Sequence, residues 1–270
     1  MARIQWHQAG SSIYESGLDR VVLYVGTNPG VPWNGVVGIT EDDATEVEPL
    51  YFNATKYNDI LTLSDFAGSI VAYTYPDEFL ACQGILENED SIYVTGQAKS
   101  RFNLAYRTLI GEDGKDLTAG YKIHLLYNLT AIEETRTYKT LVLESELQSF
   151  TWKLTGIPEN ISGFRPTSHL IIDSRKINQY LLADIEDVLY GLNTEDAKLP
   201  TMKSLLTFIR KWDRIIIEDN LDGTWTIESD ALGVITLVDS TTYTINSPDI
   251  VVIDANSYTI SSSNKNEEDI

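Results

Sequence analysis

The stretch that decides the fold is Tyr121-Lys122-Ile123-His124-Leu125-Leu126-Tyr127-Asn128, read together with the segment 101–110 and the loop Gly111-Glu112-Asp113-Gly114-Lys115-Asp116 between them. Lys122 and His124 alternate with Ile123 and Leu125, the period of a half-buried strand rather than of a helix. The loop is rich in Gly and Asp, residues that accept the backbone angles of a tight reversal. The two segments are therefore expected to form an antiparallel hairpin. Working outward, 20–25, 66–75, 150–155 and 168–173 carry the same β-branched and aromatic texture and are expected as further strands.

One segment breaks this pattern. In 174–190, Ile177, Leu181, Ile185, Val188 and Leu189 fall on one helical face. Ser174 or Asp173 is expected to cap the start, and Gly191 to close the end. Asp184, Glu186 and Asp187 fall off the stripe and are expected to face solvent. A second helix is expected over 200–211, with Pro200 in its first turn. Beyond Trp212 come short strands at 214–218, 224–228, 234–238, 241–246, 250–253 and 257–261, separated by Asp, Ser, Asn and Pro turns. The expected division is a main domain over 1–212, a small all-β appendage over 213–261 and a flexible tail over 262–270. The fold class is mainly β, with one packed α-helix.

Charge narrows the range of functions. Forty acidic residues stand against twenty basic ones, a net of −20. Nucleic-acid binders present basic patches to phosphates, and this balance does the opposite. Residues 213–270 hold twelve acidic and two basic residues, so this short segment carries half of the net charge. The single cysteine, Cys82, excludes an intramolecular disulfide and reads as a small core residue. Residues 1–10 lack the blocks of a signal peptide, and no apolar run has the length of a membrane span. A soluble protein made in the cytoplasm is expected.

Catalytic signatures are missing. His7, His124 and His169 sit in separate segments without metal-ligand spacing, so no metal, cofactor or catalytic residue is expected. There is no nucleophile elbow, phosphate loop or dinucleotide fingerprint. Asp219-Asn220-Leu221-Asp222-Gly223 resembles the opening of a calcium loop, but the twelfth position holds Asp230 rather than Glu, and a turn is the better reading. Two aromatic, turn-rich clusters have two readings. Trp33, Tyr73, Tyr75, Pro76, Asp77, Glu78 and Phe79 serve either as core and corner packing or as a subunit interface, where aromatics are enriched.

Several segments in order resemble the major tail (tail tube) proteins of siphophages. They are Met1-Ala2-Arg3-Ile4-Gln5-Trp6, Tyr14-Glu15-Ser16-Gly17-Leu18-Asp19-Arg20-Val21-Val22-Leu23-Tyr24, Val31-Pro32-Trp33-Asn34-Gly35 and Ala72-Tyr73-Thr74-Tyr75-Pro76-Asp77-Glu78-Phe79. The series continues through Gly120-Tyr121-Lys122-Ile123-His124-Leu125-Leu126-Tyr127-Asn128 and 219–226, covering nearly the whole chain. Their order and spacing carry the resemblance, and Tyr75-Pro76-Asp77-Glu78-Phe79 is the most distinctive. Leu221 departs from the Gly usual in relatives, which touches only the local turn.

The resemblance implies a β-sandwich with a packed helix, six copies per ring, and rings stacked into a tube with a continuous inner β-barrel. It implies assembly in the host cytoplasm, a place in the virion tail, and partners in further copies, the tape-measure protein, and the tail terminator and distal tail proteins. Duplex DNA would pass through without specific contact, and no membrane is involved. Six subunits giving four strands each would close about 24 strands into a circle about 48 Å across at the backbone, leaving a bore of about 38 Å. An acidic wall repels phosphate and keeps the passage smooth, over a screening distance of about 8 Å. The sequence does not assign individual lumen carboxylates. The segments 40–56 and 91–99 are expected as long loops between rings. A distal tail or baseplate component of the same fold is one alternative. Another is a carbohydrate-binding attachment module using Trp225, Tyr243 and Tyr258.

Overall fold

The computed structural model describes residues 12–42, 46–62, 66–88, 91–113, 116–138, 140 and 147–211, together with short strands beyond them. The chain divides into two compact units, Met1–Met202 and Lys203–Ile270. It is mainly β. The first unit runs, in chain order, through β1 (Ile13–Val25), β2 (Val31–Pro32), β3 (Val36–Asp42), β4 (Glu46–Phe52), β5 (Thr55–Thr62), β6 (Ala67–Ala72), the single-turn helix α1 (Leu80–Gln83), β7 (Leu86–Glu87) and β8 (Tyr93–Val94). It continues with β9 (Phe102–Glu112), β10 (Gly120–Glu133), β11 (Phe150–Gly156), β12 (His169–Asp173) and α2 (Gln179–Tyr190). Helix α3 (Met202–Lys211) begins at the boundary.

The second unit contains β13 (Ile215–Asp219), β14 (Trp225–Ser229), β15 (Ile235–Leu237), β16 (Tyr243–Ile245), β17 (Ile250–Asp254) and β18 (Ser257–Ile260). These form three antiparallel hairpins, each strand pairing with its chain neighbour. The six strands fall where the apolar runs between turn residues place them. The turn expected at Asp219–Gly223 lies outside the described residues beyond Asp219 itself, as do His7 and the tail 262–270.

The expected hairpin forms the centre of the first unit. Strands β9 and β10 pair antiparallel from Gly120↔Ile110 to Leu126↔Leu104, and β1 lies on the far side of β9. The main sheet runs β2-β1-β9-β10-β11-β6-β3, with β12 also on β10. Strand β10 divides one edge between two partners: residues 122–126 pair with β12, and 129–133 pair with β11. The switch falls at a bulge where Asn128 adopts φ 53°. Asn is among the few residues that tolerate this left-handed conformation, and a bulge of this kind bends a strand. The Asn128 amide, turned out of the ladder, donates to Asn103 Oδ1 at 2.8 Å.

The bend brings both arms of the sheet around one core. Val21, Leu23, Leu104, Tyr106 and Leu126 from the first arm join Ile70, Ala72, Trp152 and Leu154 from the second. The sheet does not close into a barrel; β2 and β3 stay at its two edges. At the centre Phe79 packs against Trp33 at 4.5 Å and Trp152 at 5.2 Å between ring centroids, and Tyr75 meets Trp152 edge-on at 5.5 Å. Such tilted pairs add about 0.5–1.5 kcal/mol each beyond area burial. Cys82 is buried in the same core, and burial pushes its thiol up to about 12, so it packs as an inert apolar group, as expected.

Helix α2 serves the opposite face of the first arm. Tyr24 and Arg107 alternate with the core residues Leu23 and Tyr106, so they point the other way. Tyr24 Oη donates to the Leu189 carbonyl at 2.6 Å, and Arg107 faces Glu186 at 3.6 Å. The helix starts later than expected, at Gln179, and Asn178 caps it by accepting from Tyr180 N and Leu181 N. The reason is local. Asp173 holds the Arg175 amide and guanidinium, and Ser174 Oγ accepts from Tyr121 N, so both expected caps still belong to the end of β12. Gly191, at φ 80°, ends the helix as expected. Glu186 does not face solvent; it is half-buried against Arg107.

The segment 40–56 is not a loop. Strand β3 continues to Asp42, and β4 and β5 form a hairpin of their own. Its two-residue turn has Asn53 at φ 49° and Ala54 at φ 60°, the two positive angles of the reversal that matches strand twist. In 91–99 only Tyr93–Val94 is strand, paired with Leu86–Glu87.

Candidate functional site

The residues expected at a subunit interface separate into three groups. Trp33 and Phe79 are 3% and 0% exposed, held inside the chain's own core, and Trp33 Nε1 donates to the Thr74 carbonyl at 2.8 Å. They cannot meet another subunit without unfolding, so for them the packing reading holds. Tyr75 and Pro76 are half-buried, with Tyr75 against Phe150 and Trp152. Tyr73, Asp77 and Glu78 are exposed and remain available at the surface.

A larger apolar surface lies on the β4–β5 hairpin. Leu50, Tyr51, Phe52 and Tyr57 are 45%, 66%, 68% and 78% exposed. The hairpin pairs with no other described strand. An isolated two-stranded sheet is marginal in water, and exposed aromatics on it are a cost unless something covers them. Lys56 and Asp59 form an ion pair at 2.7 Å on the same hairpin, with Lys56 directly across from Tyr51. The aromatic residues Trp225, Tyr243 and Tyr258 fall on β14, β16 and β18, whose side chains lie outside the described residues.

A second cluster, not expected from the sequence, lies at the open end of the curved sheet. The inward faces of β3, β10 and β12 bring Glu41, His124 and His169 together, with one ligand-capable atom of each within 4.8 Å of the others. His124 Nδ1 lies 3.1 Å from His169 Nε2 and 3.2 Å from Glu41 Oε1. His169 Nδ1 lies 3.9 Å from Glu41 Oε2. Tyr106 stacks on His124 at 4.7 Å with ring planes 8° apart, and its hydroxyl donates to Glu41 Oε1. On the other side of His124, Nε2 is 3.1 Å from Thr108 Oγ1, and Thr108 donates its hydroxyl proton to Glu15, which Lys122 also binds.

The electrostatics follow from this packing. The hydrogen bond from His124 holds Glu41 down to about 2, helped by Tyr106 and opposed by partial burial. Burial pushes His169 down to about 4 although Glu41 pulls it up, so at neutral pH His169 keeps a free lone pair. Burial raises the Tyr106 hydroxyl, and Glu41 raises it further. Burial also works to raise Glu15, but Lys122 and Thr108 outweigh it and leave the carboxylate lowered.

The expectation that the strand histidines stand apart is therefore corrected. His124 lies opposite Ile171 and His169 opposite Leu126, so β10–β12 pairing places them diagonally on one face. No spacing within either segment signals this, because the partner strand begins some forty residues downstream. A groove of about 480 Å³ lies elsewhere, lined by Asp19, Arg20, Trp33 and Tyr190, and holds no such cluster. Among the described residues no helix is long and apolar enough to cross a membrane. No family model matches the chain, and no curated protein matches it.

Proposed function

We propose that the chain is a structural virion protein, the major tail (tail tube) protein of a long-tailed bacteriophage, whose copies close into six-membered rings stacked around a DNA-conducting lumen. In this reading the bent sheet is one half-barrel of a sandwich, and neighbouring copies complete the inner wall. The observation that carries the proposal is the β4–β5 hairpin. It is a two-stranded sheet with four large apolar side chains in water and no described strand beside it. A second copy of the chain is the occupant that suits it, because pairing there covers the aromatics and adds strands to a marginal hairpin.

Two further features support the reading. The main sheet is open, with β2 and β3 at its edges, so it has somewhere to continue. The excess of acidic residues allows a wall without affinity for phosphate. The ordered sequence resemblance to siphophage major tail proteins supports the same reading.

Negative-stain imaging of the purified protein, alone and with the tape-measure protein, is the test. Annuli or tubes are expected from the natural sequence. A variant with Tyr51→Ser, Phe52→Ser and Tyr57→Ser should keep its circular dichroism spectrum and stay monomeric. A natural chain that stays monomeric in both conditions, or a variant that assembles like the natural chain, sinks the proposal.

A further inference from the structure

We infer that Glu41, His124 and His169 form a binding site for one divalent zinc ion, a site independent of the tail-tube reading. The distances are the first argument. Ligand atoms about 2.1 Å from a tetrahedral zinc lie about 3.4 Å from one another. The Nδ1–Nε2 and Nδ1–Oε1 separations of 3.1 Å and 3.2 Å are close to that edge length. Two imidazoles and a carboxylate are a donor set that suits this ion, with a fourth position left for water.

The hydrogen-bond pattern is the second argument. The Thr108 hydroxyl gives its only proton to Glu15, so toward His124 it acts as an acceptor. Nε2 therefore faces Thr108, and Nδ1 is the nitrogen turned toward Glu41 and His169. Glu41 Oε1 is an acceptor, and it already takes the Tyr106 proton. Three ligand-capable atoms thus lie within 4.8 Å of one another. A single proton on Nδ1 can bridge to only one of its two neighbours. A divalent cation satisfies all three at once. The Glu15–Thr108 pair is the kind of outer support that sets the tautomer and orientation of a ligating histidine.

The third argument is position. Glu41 belongs to the edge strand β3, His124 to the central strand β10, and His169 to β12, which pairs with β10 alone among the described strands. An ion there ties the free edge of the bent sheet to its spine. His124 is 6% exposed and His169 is 16% exposed, whereas Glu41 is 40% exposed and leaves a route for entry. The role that follows is a structural clamp on the open end of the sheet.

The experiment uses the full chain carrying His7→Asn, which removes the remaining histidine. Isothermal titration with zinc chloride should show one ion per chain, with a raised unfolding temperature, and cobalt(II) should give the intense visible bands of a tetrahedral site. Glu41→Gln and His169→Gln should each lose the cobalt spectrum. Thr108→Val, which touches no ligand position, should weaken zinc about tenfold to a hundredfold. Circular dichroism without metal checks that the variants fold. Absence of saturable zinc binding in the parent chain overturns the inference. So does undiminished binding in both ligand variants.

Discussion

Arg107→Met tests the reading of the α2 face. Arg107 is 8% exposed and lies directly opposite Asp19 in the β1–β9 ladder. Its guanidinium forks onto Asp19 with bonds of 2.8 Å and 2.7 Å, stands 3.6 Å from Glu186 and covers the Tyr121 ring at 4.3 Å. Methionine keeps most of the stem and removes the charge. Charge-assisted hydrogen bonds are worth about 1.5–3 kcal/mol when buried. Asp19 is 37% exposed, so solvent screening brings its share nearer to 1 kcal/mol. The cation–π contact adds about 1 kcal/mol. Glu186 Oε1, buried without a hydrogen bond, loses the nearby positive charge, for about 1 kcal/mol more. The expected loss is about 3 kcal/mol, read by urea unfolding followed through tryptophan fluorescence. Adding Glu186→Gln should return about 1 kcal/mol, because it removes the stranded carboxylate. A loss below about 0.5 kcal/mol for Arg107→Met, or a double variant no better than the single, would refute the reasoning.

Two other outcomes follow from particular contacts. A methyl group on Gly68 would sit 2.3 Å from the Thr40 carbonyl of the adjoining strand, so Gly68→Ala should push β3 away from β6 and cost about 1–3 kcal/mol in urea unfolding. Asp173 is held down to about 2 by its hydrogen bonds from Arg175. Its folded value lies below the unfolded one, so the contact stabilises fully above about pH 4 and is lost as pH falls through 2. A carboxyl NMR titration should show Arg175→Gln moving Asp173 back toward its ordinary range, and an unmoved titration would count against the assigned pair.

The parts legible in the sequence were those set by neighbours along the chain. Lys122 and Ile123 alternate because β10 is half-buried at its start, whereas His124 keeps the polar alternation although it is buried; the Gly- and Asp-rich loop sits where β9 turns back. What escaped reading was made by partners far away. Ala54 hides the β4–β5 turn, because the residue usual at that left-handed position is Gly, and Ala there carries strain of about 1–2 kcal/mol. Asp173 and Ser174 look like helix caps but are taken by Arg175 and Tyr121 across the end of β12. Glu186 looks solvent-facing until the arginine of another strand is placed beneath it. The Glu41, His124 and His169 cluster needs the register of three strands, and no local spacing encodes that.

The divided edge of β10 also has a kinetic meaning. The β9–β10 hairpin closes over a short loop and can form early, while β11 and β12 arrive from later in the chain. Until they dock, fourteen residues of strand, about 46 Å long, present unpaired amides and carbonyls. Docking of the chain's own strands is independent of concentration, whereas capture of that bare edge by another nascent chain is second order. At high chain concentration maturation and cross-pairing therefore compete. The bulge at Asn128 handicaps the wrong outcome, because a straight foreign strand cannot follow the bend.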